Sequence, residues 1–500
     1  MPLIDLLSRQ PAAAPSILSP DRPPLTYGAL AGLAGQTLAA LNGQGIGRRD
    51  RVAIVLPNGP DMASAFLAIG AGAATAPLNP AYRADEFDFY LRDLEPKALV
   101  VQAGVETPAR DAAQKLDIAV VELVPDPAAS GLFRLEIPAG GGAPLFSGPE
   151  DDALLLHTSG TTSRPKLVPL SQQNILASAN HIGQTLALAP GDRCLNIMPL
   201  FHIHGLIGAV LSTIAAGGSV FCTPGFNALK FFAWLGESQP TWYSAVPTMH
   251  QAILARAERN REILERRKLR FIRSSSASLP APVMKELESV FGCPVIESYG
   301  MTEASHQITS NPLPPAARKP GSVGRAAGPE VAILSEDGRK LPPGETGEVV
   351  IRGSNVTSGY VANDSANAAA FTNGWFRTGD QGVFDAEGYL TITGRLKELI
   401  NRGGEKVSPL EVDAVLLGHP AVAQAVTFAL PHEKLGEEVG AAIVLREGAA
   451  LTERELRDYA AQRLADFKVP RRVLFLDEIP KGATGKLQRI GLAAKLGLGA

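Results

Sequence analysis

At 500 residues the chain is too long for one ordinary core, and at roughly 100–200 residues per domain it predicts two to four domains. Hydrophobic residues are 45% and charged residues 19%, which excludes a disordered or collagen-like chain. With 47 basic and 50 acidic side chains the net charge is −3, so no electrostatic excess points to nucleic acid or acidic lipid. Cys194, Cys222 and Cys293 are far apart and odd in number, which fits neither a disulfide framework nor a zinc motif.

Along the chain, 52–56 (VAIVL), 98–102 (ALVVQ) and 118–123 are β-branched runs, with a small-residue helix at about 61–73 between the first two. A strand at ALLLH from 153, a Gly/Thr/Ser loop and a helix starting near Ser171 follow. Strands near 218–222, 241–246, 271–275 and 294–298 then alternate with helices at about 205–216, 227–237, 247–264 and 281–291. That alternation predicts an α/β body of parallel sheets covered by helices. The Gly/Pro/Ala-rich piece 138–149 reads as a loop. After about 320, VAILS, GEVVIRG and YLTITG are short strands between DG, PPG and EG turns, a compact antiparallel β unit. From about 397 comes a small α+β pattern: helix 409–417, strands 421–429 and 439–445, helix 452–465 and strand 472–478.

No apolar run approaches the roughly 20 residues of a membrane span. The first residues lack the charge pattern of a secretory signal, and GLGA at the other end is not a peroxisomal address. A cytoplasmic location is the expectation.

Six short segments carry chemistry. His157 to Lys166 reads HTSGTTSRPK; Gly160 and the hydroxyl residues Thr158, Ser159, Thr161 and Thr162 can present donors to a phosphate chain, and Lys166 adds a positive charge. Pro165 before the lysine and Leu167 after it exclude a Walker loop. SYGMTE (298–303) offers the Tyr299 ring to a base, the Thr302 hydroxyl to phosphate and the Glu303 carboxylate to Mg²⁺. Asp380, placed after a Gly turn in GWFRTGD, and Arg395 in GRLKEL form an acid and base suited to ribose hydroxyls. PKGATGK puts Lys486 on a Gly-rich turn, and NRGGEK puts Gly403 and Gly404 where backbone must turn sharply or approach something closely.

In this order and combination the segments resemble the adenylate-forming superfamily of acyl-CoA synthetases, peptide adenylation domains and beetle luciferases, over about residues 25 to 490. The resemblance implies an N-terminal adenylation body, 1–394, whose β unit is 321–394. It also implies a hinge at 395–399 around Lys397 and a mobile α+β cap, 400–500. It implies ATP, Mg²⁺ and coenzyme A: a carboxylate attacks the α-phosphate to give acyl-AMP and diphosphate, and the thiol then attacks the mixed anhydride. Thr158 to Thr162, Lys166, Ser298, Tyr299, Gly300, Met301, Thr302, Asp380 and Arg395 would hold the nucleotide. Glu303 and Thr162 would hold the metal, Gly403 and Gly404 would line the thiol path, and Lys486, Glu303, Thr302 and His202 would carry catalysis.

The acid pocket of such relatives lies between the segments equivalent to PLFHIHG, RSSSAS and TEASH. Here they gather His202, His204, Ser274, Ser275, Ser276 and His306, a polar set suited to a small acid rather than a fatty chain. The run MTEASHQITSNPLPP most resembles oxalate–CoA ligases, in which His306, Ser276 and His202 would touch oxalate. Malonate enzymes usually carry an Arg where Ser298 stands. The alternatives are a ligase for malonate, coumarate or a medium- or long-chain fatty acid. Further off stand a luciferase-like monooxygenase and a nucleotide-binding scaffold. A monomer and a homodimer are both open.

Overall fold

The computed structural model describes residues 2–137, 143–158, 165–480 and 488–498. Two large sheets organise the body. The seven-stranded sheet runs, edge to edge, Phe133–Glu136, Ala119–Pro125, Ala98–Gln102, Arg51–Val55, Ala74–Pro77, Asp152–His157 and Leu167–Ser171. The nine-stranded sheet has Val295–Met301, Phe271–Ser274, Trp242–Ala245, Arg193–Asn196 and Ser219–Cys222 as its inner strands. These inner strands pair in parallel, and VAIVL, ALVVQ and WYSA are buried almost throughout, as strands covered on both faces must be.

One apolar cluster joins Val52 and Leu154 of one sheet to Trp242 and Phe271 of the other through the helices Tyr27–Gly43, Pro60–Gly70 and Gln172–Thr185. The outer faces are covered separately. Phe231–Ser238, Pro247–Ala257 and Ala281–Phe291 pack on the nine-stranded sheet, and Ala84–Leu94 and Pro108–Lys115 on the other. Helix and sheet layers therefore alternate, α/β/α/β/α, in line with the α/β expectation. Local chemistry sets several helix ends. Ser171 opens its helix by accepting from Asn174 N, and Gly292 closes Ala281–Phe291 at φ +63°.

The antiparallel β unit is present as a five-stranded sheet containing Glu330–Leu334, Gly347–Arg352, Trp375–Phe384 and Leu390–Arg395. From Ile400 onward the buried apolar residues form clusters of their own around a second five-stranded sheet dominated by the hairpin Val422–His432 and Gly436–Leu445. The strand Leu390–Arg395 belongs to the first of these two small sheets, so Arg395, the first residue of the expected hinge, is held in a body strand. Two ion pairs of Arg489, with Glu398 and with Asp413, tie the segment after 395 to the C-terminal unit.

Two sequence expectations need correction. The segment after ALLLH does not lead directly into a helix. Leu167–Ser171 intervenes and pairs antiparallel with Asp152–His157, and the helix Gln172–Thr185 begins only after it. Asp380 does not follow a free turn: it lies inside the long strand Trp375–Phe384, where Gly379 takes φ +73° and the ladder shifts register.

Candidate functional site

Ser159, Gly160, Thr161, Thr162 and Lys486 lie outside the described residues. The base of the 158–166 segment is described. Thr158 N donates to Lys166 O at 2.9 Å, and Lys166 N donates to Thr158 Oγ1 at 3.2 Å, which closes the hairpin. The Lys166 ammonium lies 4.3 Å from the centroid of the Tyr360 ring. Burial lowers its pKa, the charge of Lys397 adds to that, and Glu303 opposes it. Glu303 is 7% exposed and accepts a 2.9 Å hydrogen bond from Tyr360 Oη. Burial raises its pKa, while the Tyr360 bond, Arg395 and Lys166 favour the carboxylate. Lys166 and Glu303 thus both contact Tyr360, a residue that no sequence motif marks.

The SYGM segment forms the end of the strand Val295–Met301, and Thr302–Ala304 is a single 3₁₀ turn. Gly300 must be glycine: a Cβ there would lie 1.4 Å from the His306 carbonyl oxygen. The segment beyond is strapped down by Asn355, whose Nδ2 donates to Ala304 O and Gln307 O at 2.8 and 2.9 Å. Ser305 and His306 are held at φ +48° and +96°, an uncommon backbone for residues with side chains.

Asp380 joins both sides of the expected ribose site. Its Oδ2 accepts from Tyr299 Oη at 2.5 Å, and its Oδ1 accepts from Arg395 Nε at 2.8 Å. Asp380 and Arg395 are direct cross-strand partners, which explains their spacing. The Asp380 charge raises the Arg395 pKa against the opposing effect of burial. Burial, reinforced by Asp380, holds the Tyr299 phenol protonated.

The acid-pocket residues come together, with differences. PLFHIHG is fixed from outside by Asn58, whose Oδ1 accepts from Leu200 N at 2.8 Å and whose Nδ2 donates to Thr223 O at 3.0 Å. The chain then enters a π-helical stretch, His204–Leu211. Gly205 is required there, since a Cβ would lie 2.2 Å from Pro199 O. His202 is half-buried, and its Nδ1 accepts from His204 N at 3.3 Å. His204 is fully buried: its Nδ1 pairs with Ser276 Oγ at 3.0 Å and its Nε2 with Ser244 Oγ at 2.6 Å. The His204 and His306 rings stack with centroids 4.9 Å apart.

Ser275 and Ser298 differ from expectation. Both are buried inside the sheet, Ser275 Oγ donates to Ser298 O at 3.1 Å and Ser298 Oγ to Ser274 O at 3.4 Å. Carbonyl oxygens of the neighbouring segment take up both hydroxyls. Gly403 and Gly404 form the turn of the hairpin Ile400–Arg402 and Glu405–Val407 at φ +60° and +99°, and Gly403 N donates to Leu435 O at 2.9 Å. The turn alone accounts for glycine at both positions.

Sequence analysis also passed over Arg273. It is fully buried in the strand Phe271–Ser274, with Nη1 donating to His306 Nε2 at 2.8 Å and Nη2 to Gln307 Oε1 at 3.0 Å. The available signal was a charge inside the apolar run FIRS.

Among the described residues no group of three or more His, Cys, Asp or Glu could hold a metal by itself. The donor set nevertheless fits Mg²⁺, which takes one or two carboxylates and completes its shell with phosphate oxygens and water. Glu303, which shares its Tyr360 contact with Lys166, is such a carboxylate. No helix among the described residues is long and apolar enough to cross a membrane.

An α/β body with a polar constellation of Tyr299, Glu303, Asp380 and Arg395 is in line with the arrangement of an adenylate-forming enzyme. The chain belongs to the AMP-binding enzyme family: residues 8–361 match that family and 411–486 match the AMP-binding enzyme C-terminal domain. It is 48% identical to an oxalate–CoA ligase of Arabidopsis thaliana over 89% of this chain and 88% of that one. It is 44% identical to an oxalate–CoA ligase of Saccharomyces cerevisiae, over 88% and 86%. Among solved structures, ATP-bound MatB from Rhodopseudomonas palustris superposes with a TM-score of 0.89 at 31% identity, covering 98% of this chain and 97% of that one.

Proposed function

We propose that this protein is an ATP-dependent oxalate–CoA ligase that converts oxalate, ATP and coenzyme A to oxalyl-CoA, AMP and diphosphate through oxalyl-AMP. The observation that carries the choice of acid is the polar wall His202–His204–Ser276–His306, backed by Arg273. A fatty-acid tunnel would need apolar walls here. Oxalate has two carboxylates with no carbon between them, so a short pocket with donors on several sides suits it. His202, the more exposed of the two PLFHIHG histidines, is assigned to touch the acid with Ser276 and His306, and His204 to hold Ser276 from behind.

The first half-reaction brings an anionic nucleophile to an anionic triphosphate, so the barrier is largely charge repulsion. Lys166 and Thr158, with Ser159, Gly160, Thr161 and Thr162, are assigned to offset phosphate charge. Glu303 would hold Mg²⁺, which neutralises charge on the phosphates when bound. Tyr299 is assigned to the base, and Asp380 with Arg395 to the ribose. Lys486 is assigned to the adenylation step alone. Rotation of the unit after residue 399, about Lys397, would then present the Gly403–Gly404 turn to the incoming thiol. The body, 1–394, and cap, 400–500, are read as separate units because their apolar clusters do not mix.

The test is coenzyme A–dependent AMP release with oxalate, malonate, octanoate and coumarate. Oxalate is expected to give the highest kcat/KM; preference for octanoate or coumarate overturns the assignment.

A further inference from the structure

We propose that Arg273 is a positioning residue for the acid substrate: its buried guanidinium fixes the proton and orientation of His306 and supplies the positive charge that offsets the second carboxylate of a dianionic acid. The proposal rests on the dicarboxylate reading above.

A buried charge costs several kcal/mol unless it is paired. Arg273 is fully buried, and among the described residues its side-chain partners are neutral: His306 Nε2 at 2.8 Å and Gln307 Oε1 at 3.0 Å. Its Nε has no partner there. No carboxylate among the described residues forms an ion pair with it. Among the described residues Arg273 therefore has hydrogen-bond partners but no anion to balance its charge. A dianionic acid in the adjoining pocket is such an anion.

The link to the pocket is His306. A guanidinium only donates, so His306 Nε2 accepts and the imidazole proton lies on Nδ1. Arg273 thus selects one neutral form of the ring. Close packing holds the pair in register: a Cβ on Gly208 would lie 2.6 Å from His306 Nε2 and 3.1 Å from Arg273 Nη1. The other face of the ring stacks on His204, which in turn holds Ser276. His306 is also kept at φ +96°, a conformation that the Gly300 approach and the Asn355 strap sustain. An ordinary core would have no need to hold a strained histidine against an unpaired guanidinium.

Two variants test this. Arg273→Met removes the charge and the donor. Gln307→Glu leaves Arg273 in place but gives it a carboxylate, which neutralises it without opening a cavity. Both are expected to raise the oxalate KM at least about tenfold while the ATP KM stays within about twofold. An oxalate KM unchanged in Gln307→Glu, or oxalate and ATP KM values rising in parallel, overturns the proposal. If Arg273→Met fails to fold, Gln307→Glu decides. Failure of the oxalate reading is separately visible as a wild-type enzyme inactive with oxalate. The two variants are then measured on whichever panel acid it accepts. A raised KM for malonate upholds the role of Arg273, and an enzyme that prefers the monoanions octanoate or coumarate overturns it.

Discussion

The Tyr299 phenol donates to Asp380 at 2.5 Å across 81 residues of sequence, and so joins the nine-stranded sheet to the antiparallel β unit. Asp380 in turn holds Arg395, the last residue of its neighbouring strand. One carboxylate thus organises a ring, a cation and the edge of the expected hinge. Asp380→Asn keeps the shape but removes the charge. It should raise the ATP KM by about tenfold or more and change the oxalate KM little, as steady-state kinetics will show. Parallel rises would argue against a nucleotide role.

Tyr360→Phe keeps the ring beneath Lys166 and removes only the hydroxyl bonded to Glu303. That bond favours the carboxylate, whose pKa burial already raises. If the ionised form is the active one, activity is lost as pH falls through the raised pKa. The variant should move the acid limb of diphosphate exchange to higher pH, by a fraction of a unit up to about one unit. A limb that stays in place would separate Glu303 ionisation from adenylation.

Gly300→Ala would drive a methyl group into the His306 carbonyl oxygen. Backbone must move, because no flexible side chain can yield. A loss of about 3 kcal/mol or more is expected in denaturant unfolding, together with loss of oxalate turnover. Near-wild-type stability would show that the Gly300–His306 approach is not required.

Glu297 is 2% exposed; its Oε1 accepts from Leu279 N at 2.9 Å and its Oε2 has no partner among the described residues. Burial pushes its pKa up from 4.5 to about 7. Between those values the folded protein keeps a proton that the unfolded chain releases. The group's contribution is therefore full at low pH and falls by about 1.4 kcal/mol per pH unit as pH rises through this window. Glu297→Gln should stabilise the protein more at about pH 8 than at about pH 5, measured as the difference in Tm. The same Tm difference at both pH values would mean Glu297 does not bind a proton on folding.

Lys486→Ala should abolish diphosphate exchange, a loss of about a hundredfold or more, and spare thiolysis of supplied oxalyl-AMP. Equal loss in both half-reactions would remove the division of labour between them.

What the sequence by itself determined was the α/β class, the order of the segments proposed to hold the nucleotide and the polar character of the residues proposed to meet the acid. Apolar runs buried on both faces leave little choice but parallel strands. HTSGTTSRPK, SYGMTE and TGD are contiguous, so their chemistry survives reading along one dimension. Tertiary structure alone decided which serine hydroxyls reach the histidines and which bond to neighbouring backbone. Ser275 and Ser276 are neighbours, yet one bonds within the strand pair while the other, at φ +73°, meets His204. It also decided that Tyr360 reaches Glu303 and that Arg273 is buried against His306 without a carboxylate partner among the described residues. Burial and hydrogen-bond geometry are properties of distant segments brought together. A charge therefore acquires its meaning only once the groups that could neutralise it have been placed.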